Sequence, residues 1–217
     1  MKKNILILAA HPDDETLGCG ATIAKLASDK NNYLKLLTFT DGVSARGKNL
    51  KNRNIKLSKV SKILGIDSFE IGNFPDNKMD SVPLLEVCKF IENKIKFNPN
   101  IIFTHHPDCL NIDHNIVYRA SITTFRPQKK NSSEINCYTV PSSIEYNPLK
   151  KINYNTYYDV EKYYKKKISA LKVYSAELKP YPHPRNIKSI INQLKTTGSE
   201  VGLKFSEKFH TIRKVIL

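Results

Sequence analysis

NILILAAHPDDETLGCGATIAKLASDKNNYLKLLTFT, residues 4–40, decides the fold of this chain. From Asn4 to Ala10 the sequence is apolar without alternation, as a strand buried on both faces is. Gly18 to Ser28 then reads as a helix with Ile23, Leu26 and Ala27 on one side, and Tyr33 to Thr40 returns as a second strand, completing a βαβ unit. Outward from this unit the alternation repeats. Arg53 to Leu64 carries Ile55, Leu57, Val60, Ile63 and Leu64 near helical spacing and stops at Gly65, a good C-terminal cap. Val82 to Phe97 predicts another helix, ended by Pro99, and Ile101 to Thr104 a short strand leading into His105-His106-Pro107-Asp108. Helical character resumes from Ile112 to Phe125. Glu134 to Val140 and Tyr157 to Val160 read as strands, Val160 to Leu178 as one long helix, and Pro180-Tyr181-Pro182-His183-Pro184 as a break before a last helical region. The expectation is a single α/β domain over 1–217, with a mostly parallel, doubly wound sheet covered by helices on both faces. Ligands of such sheets bind outside the carboxyl ends of the strands, where both His/Asp-rich clusters fall.

Composition narrows the function classes. The 217 residues include 35 Lys and Arg against 20 Asp and Glu, a net charge of +15, with 40% hydrophobic residues. A domain of this size buries roughly 70% of its unfolded surface without props, so a metal here would serve chemistry more than folding. No apolar stretch approaches the roughly 20 residues of a membrane span. The run Ile5–Ala10 leads into acidic residues with no small-residue cleavage site, so a cytoplasmic protein is expected. Cys19, Cys88, Cys109 and Cys137 form no C-x-x-C pair and read as reduced thiols, with Cys19 as packing. The positive charge would attract polyanions. Its lysines are scattered, however, so no specific nucleic-acid binding is expected, only weak, sequence-blind and salt-sensitive association. The run Lys165-Lys166-Lys167 is expected on a solvated helix face, and His210 at the surface.

His11-Pro12-Asp13-Asp14-Glu15 occupies the turn after the first strand. Two adjacent carboxylates in one turn repel unless a cation or a helix N-terminus compensates them. His11 and Asp14, three apart, can converge on one ion and leave Asp13 pointed elsewhere. A second cluster, His105 to His114, opens a later helix and could contribute one more histidine, giving two His and one carboxylate with an open position, a set that suits catalytic zinc. Iron and other divalent ions accept the same donors. Either cluster alone has another reading, since Asp13 and Asp113 are also good helix-start residues. The pair Gly18-x-Gly20 lacks the rest of a dinucleotide-binding pattern.

His11-Pro12-Asp13-Asp14-Glu15 with Leu17-Gly18-Cys19-Gly20-Ala21-Thr22, and Asn111-Ile112-Asp113-His114 downstream, resemble the LmbE/PIG-L family of zinc-dependent N-acetylglucosaminyl deacetylases. Thr40-Asp41-Gly42-Val43-Ser44, Arg53, Leu64-Gly65, Pro75-Asp76-Asn77 and His183-Pro184-Arg185 carry the likeness through most of the chain. The resemblance implies a Rossmann-like domain that removes acetyl groups from N-acetylated sugars, with His11, Asp14 and His114 as zinc ligands and Asp13 as general base. One departure stands out: many members have His at the position of Asn111. An Asn amide donates a hydrogen bond but transfers no proton, so it keeps the role at the oxyanion and loses that of general acid, which His105 or His106 would take. The Asn-containing version resembles a branch associated with surface-sugar and nucleotide-sugar pathways, implying a phosphate-bearing substrate.

The chemistry expected is metal-assisted amide hydrolysis, with Asp13 taking the proton of the attacking water and acetate and an amino sugar as products. Asp113 is expected to orient His114 from behind. Arg53, Asp76 and His183 are the substrate-binding candidates, for phosphate, hydroxyl or proton contacts. A hydrolase of a different amide using the same ligands is the alternative, and a non-catalytic basic nucleic-acid-binding protein a second one. Whether the chain forms a homo-oligomer is left open.

Overall fold

The structure, a computed structural model, describes residues 2–42, 51–127 and 133–215, with side chains omitted for 51–53. Along the chain run β1 (Asn4–Ala9), α1 (Asp14–Leu26), β2 (Tyr33–Thr40), α2 (Lys51–Leu64), β3 (Ser68–Phe74), α3 (Leu84–Lys94), β4 (Ile101–His105), α4 (Ile112–Thr124), β5 (Glu134–Tyr138), β6 (Thr156–Asp159), α5 (Tyr164–Val173), α6 (Ile187–Ser199) and β7 (Ser206–Arg213). The strands form one seven-stranded sheet in the order β3-β2-β1-β4-β5-β7-β6. Strands β3 to β5 are parallel, and β7 pairs antiparallel with both β5 and β6. This is the α/β, mostly parallel, doubly wound architecture that the alternation predicts.

The apolar run of β1 explains why the sheet is covered twice. Successive side chains on a strand face opposite ways. Ile5, Ile7 and Ala9 enter one core with Leu17 and Ile23 of α1, Leu57 and Val60 of α2, and Ala170 and Leu171 of α5. Leu6, Leu8 and Ala10 enter the other with Val87 and Ile91 of α3 and Val117 and Ala120 of α4. Chain order reverses between β1 and β4: after β1 the chain builds outward to β2 and β3, and after β4 to β5 on the other side. That reversal opens a crevice at the carboxyl ends of β1 and β4.

Several expectations need correction. Strands β3 and β7 were not expected. β3 is an edge strand whose residues are all partly exposed, and β7 reads Ser-Glu-Lys-Phe-His-Thr-Ile-Arg, too polar to announce burial. The long helix over Val160–Leu178 is broken: a turn follows β6, α5 spans ten residues, and a single 3₁₀ turn (Ser175–Glu177) follows it. Lys167 is not on a solvated face. It is 3% exposed and its Nζ lies 2.6 Å from Glu207 Oε1 on β7, while Lys165 and Lys166 are exposed as expected.

Candidate metal centre

Both clusters lie at the crevice. His11 to Asp13 form the turn from β1 into α1, and His106 to Asn111 the turn from β4 into α4. Three donor atoms meet there: His11 Nδ1 is 3.1 Å from Asp14 Oδ2, His114 Nε2 is 3.2 Å from the same oxygen, and the two nitrogens are 3.3 Å apart. The outward nitrogen of each imidazole is engaged elsewhere. His11 Nε2 lies 3.0 Å from Asp113 Oδ2 and 3.3 Å from Asp76 Oδ1, and His114 Nδ1 lies 3.0 Å from Cys109 Sγ. Each ring therefore turns its remaining nitrogen to the centre, where a proton or a cation must sit between it and Asp14. Burial alone would lower both imidazoles, yet the surrounding carboxylates outweigh it. His11 is held well above its ordinary value by Asp113, Asp14 and Asp76, and His114 is raised to about 9, chiefly by Asp14. Burial opposes the Asp14 charge, but the two histidines hold its carboxyl well below the usual range. Two imidazoles and one carboxylate drawn to one point form a set of donors that could hold a divalent cation.

Asp13 stands beside this centre and apart from it. Its φ of 144° falls in a region that side-chain-bearing residues rarely adopt, a strain of order 1–3 kcal/mol that surrounding contacts must hold. Glu15 supplies one: its Oε2 accepts the Asp13 N–H at 3.0 Å, while its Oε1 accepts from Thr16 Oγ1 and the Tyr174 hydroxyl. Although Asp13 has the N-cap position of α1, its carboxylate makes no capping bond, so the helix-start reading does not account for it. Its Oδ2 instead lies 3.6 Å from Arg185 Nη1. Burial first, and then the charge of Asp14, push its carboxyl up to about 7 against the pull of Arg185.

The other expected residues divide. Asp113 is not a capping residue either: its carboxylate accepts N–H groups from Asn77 (2.7 Å) and Met79 (3.0 Å) and holds His11, where the expected partner was His114. Asn111 caps α4, its Oδ1 accepting from Asp113 and His114 N–H, while its amide nitrogen donates to Asn77 Oδ1 at 3.2 Å. Asp76 is 4% exposed and lies behind His11, which corrects the expectation of a substrate-facing carboxylate. His105 also needs correction. It is fully buried, its Nε2 accepts the Ala10 N–H at 2.9 Å, and its ring stacks on His114 with centroids 3.9 Å apart. Burial holds its imidazole well below the ordinary value, so it supports His114 and is poorly placed to deliver protons. His183 touches the backbone N–H of Arg185 and the edge of the Tyr146 ring, shaping the turn that presents Arg185. The Arg53 side chain lies outside the described residues, as do Val43 and Ser44.

His106 and His210 pair away from the centre. His106 Nδ1 accepts the Asp108 N–H, and its Nε2 lies 3.1 Å from His210 Nδ1, so His210 is not the free surface residue expected. Burial lowers His106 to about 4. An unfolded His takes its proton near 6.5, so between there and pH 4 the unfolded chain binds more protons than the native one and stability falls as pH falls. The effect is worth at most about 3 kcal/mol. His106→Asn should flatten the dependence of the unfolding midpoint on pH between 6.5 and 4; an unchanged slope would show that His106 does not titrate this way.

Sequence reasoning missed the parts that hold α1. This helix is two, joined at Cys19, whose φ of −140° and ψ of 21° are not helical. The break leaves Leu17 C=O and the Ala21 and Thr22 N–H groups without helical partners. Lys167 Nζ donates to Leu17 C=O at 2.8 Å, and Glu207 accepts from Ala21 and Thr22 at 3.2 and 2.7 Å. A β-carbon at Gly18 would overlap the Tyr138 ring, whose hydroxyl donates to Leu8 C=O, so only glycine lets the first turn of α1 approach β5. Arg185 was visible only as part of a tripeptide, and nothing in the spacing from Asp13 hinted at their meeting.

Comparison with known proteins agrees with this geometry. Residues 6–125, which include both clusters, match the family model described as PIG-L, GlcNAc-PI de-N-acetylase. An Escherichia coli protein, the uncharacterized deacetylase YaiS, is 34% identical over 132 residues, covering 58% of this chain and 69% of that one. Among solved structures, the N,N'-diacetylchitobiose deacetylase of Pyrococcus horikoshii superposes with a TM-score of 0.76 at 20% identity, covering 97% of this chain and 84% of that one. The 4-carboxy-2-hydroxymuconate hydratase GalB of Pseudomonas putida shares the fold equally, with a TM-score of 0.76 at 16% identity over 100% of this chain and 98% of that one. Likeness of fold alone therefore does not select a reaction. The family match rests on the segment that carries His11, Asp13, Asp14 and His114, and by it the chain belongs to the PIG-L (LmbE-like) deacetylase family.

Proposed function

We propose that this protein hydrolyses the acetamido group of an N-acetylated amino sugar, releasing acetate and the free amine, with a divalent cation held by His11, Asp14 and His114. The observation that carries this reading is the meeting of two imidazole nitrogens and one carboxylate oxygen within 3.3 Å of one another, beside a strained, separately held Asp13. Zinc suits those donors, and iron(II) is accepted by the same set. An ion there would polarise the acetamido carbonyl and acidify water.

The protein's own residues supply the rest. Asp13 accepts the proton of the attacking water, as a base whose affinity for protons lies close to neutrality. Arg185 faces the Asp13 carboxylate and favours its anionic form, against the burial and the Asp14 charge that raise it. Asn111, its carbonyl committed to capping α4 and its amide nitrogen donating to Asn77 Oδ1, is the side-chain donor assigned to the developing oxyanion. The protonated Asp13 then returns its proton to the departing amine nitrogen, a duty that His105, buried and neutral, is not assigned. A phosphate-bearing sugar is the form most compatible with a chain of charge +15.

The test is metal content per chain, followed by acetate release from N-acetylglucosamine in free, nucleotide-linked and lipid-linked forms before and after chelation. About one ion per chain is expected, with activity lost on its removal and restored by zinc. Undiminished acetate release by the metal-free protein would overturn the reading. Release of a different carboxylic acid from other amides, with none from any acetamido sugar, would transfer the same machinery to a different substrate.

A further inference from the structure

The two histidines of the centre lean on unlike partners. His11 turns its outer nitrogen to the carboxylates of Asp113 and Asp76, whereas His114 turns its outer nitrogen to the thiol of Cys109, 3.0 Å away. That thiol is 5% exposed and also lies 3.7 Å from the Ser143 carbonyl. A thiol can donate one weak hydrogen bond and accept another. Sγ thus lies between His114 Nδ1 and the Ser143 carbonyl, placed to accept from the first while donating to the second. The backbone fixes the sulfur in place: Cys109 N–H donates to His106 C=O, Cys109 C=O accepts from Asn115 Nδ2 at 2.7 Å, and Leu110 N–H donates to the same Ser143 carbonyl at 2.9 Å.

We propose that Cys109 is a positioning residue that, through its sulfur, keeps the proton of His114 on Nδ1 and so turns the lone pair of Nε2 toward His11 and Asp14. The inference rests on the metal-site reading above. An imidazole that binds a metal donates its other N–H to an acceptor, and loss of that acceptor typically weakens metal binding by about 10- to 100-fold. Elsewhere that acceptor is commonly an oxygen; here a sulfur takes the part on one histidine while carboxylates take it on the other. The His105 ring stacks on His114 at an interplanar angle of 24° and limits its plane, while Cys109 is the partner at Nδ1 and Asp14 the one at Nε2.

The test compares Cys109→Ala, which removes the sulfur, with Cys109→Ser, which keeps both a donor and an acceptor. Cys88→Ala is the control for loss of a buried thiol, because Cys88 lies between α3 and α4 in the other core, with Sγ near the Ala120 carbonyl. Zinc dissociation constants are measured by competition with a chromophoric chelator. Cys109→Ala is expected to bind zinc about 10- to 100-fold more weakly, and Cys109→Ser and Cys88→Ala within about threefold of wild type. In metal-free protein, the His114 Nδ1 proton, assigned by its absence in His114→Gln, should exchange slowly with water in wild type and Cys109→Ser but rapidly in Cys109→Ala. Wild-type zinc affinity and a slowly exchanging proton in Cys109→Ala would overturn the proposal. Should wild type bind no zinc, the metal reading fails, and the exchange of that proton decides the role of Cys109 by itself.

Discussion

Asp13→Asn should reduce the rate of acetate release by about 100- to 10,000-fold while leaving metal bound, the range over which a positioned base contributes. The amide has nearly the shape of the carboxylate and cannot accept the water proton. Asn also tolerates unusual backbone angles better than most residues, so the φ of 144° survives the change. The backbone bond from residue 13 to Glu15 does not involve the side chain and remains. Asp14→Ala provides the contrast. It removes the oxygen to which both His11 and His114 converge, so metal and activity should vanish together. Elemental analysis beside an acetate assay separates the two variants. Asp13→Asn with near wild-type rate would end the assignment of Asp13 as base, and Asp14→Ala with full metal content would move the centre elsewhere.

The second large effect concerns stability. Lys167→Met should cost about 3–5 kcal/mol, because removing one partner of a buried ion pair leaves an uncompensated charge. Glu207 is 4% exposed, and Lys167 is its only charged partner within 4 Å among the described residues. The same substitution strips Leu17 C=O of its donor at the break in α1. Glu207→Gln should cost a similar amount, stranding the ammonium while keeping one carbonyl oxygen for the Ala21 and Thr22 N–H groups. In the double variant no charge is stranded, so its loss should be smaller than the sum of the two. Denaturant unfolding of the three variants measures this. A loss under about 1 kcal/mol in both single variants would show that the pair does not carry the break.

The break in α1 also bears on chemistry. Its first turn holds Asp14 and Glu15, and Glu15 in turn holds the Asp13 backbone. Tyr138 of β5 packs against Gly18, Lys167 of α5 holds the Leu17 C=O before the break and Glu207 of β7 the Ala21 and Thr22 N–H groups after it, so the placement of α1 depends on elements remote in sequence from either cluster. The helix that begins with Asp14 is therefore braced from the part of the chain that lies outside the matched residues 6–125.

What was legible in the sequence follows from periodicity and local chemistry. The unbroken apolar run at β1 requires burial on both faces, and a strand covered twice within a βαβ alternation leads to a doubly wound sheet. The same alternation puts turns at the carboxyl ends of β1 and β4. Adjacent carboxylates beside a histidine in one turn, and a histidine in the other, then predict a charged centre, because such a turn cannot hold those groups without compensation. What escaped was encoded in contacts between distant segments. Polar β7 and half-exposed β3 carry no burial signal of their own, and Lys167 looked like one of three solvated lysines until the fold brought Glu207 to it. Likewise, only the tertiary structure decided that Asp113 lies against His11 while Cys109 lies against His114, that Asp76 and His105 lie behind those two histidines, and that Arg185 meets Asp13. The physical reason is one of range: burial pattern and helix chemistry act over a few residues and are written locally, whereas the partner of a buried polar group is chosen by where the packed sheet and helices put it.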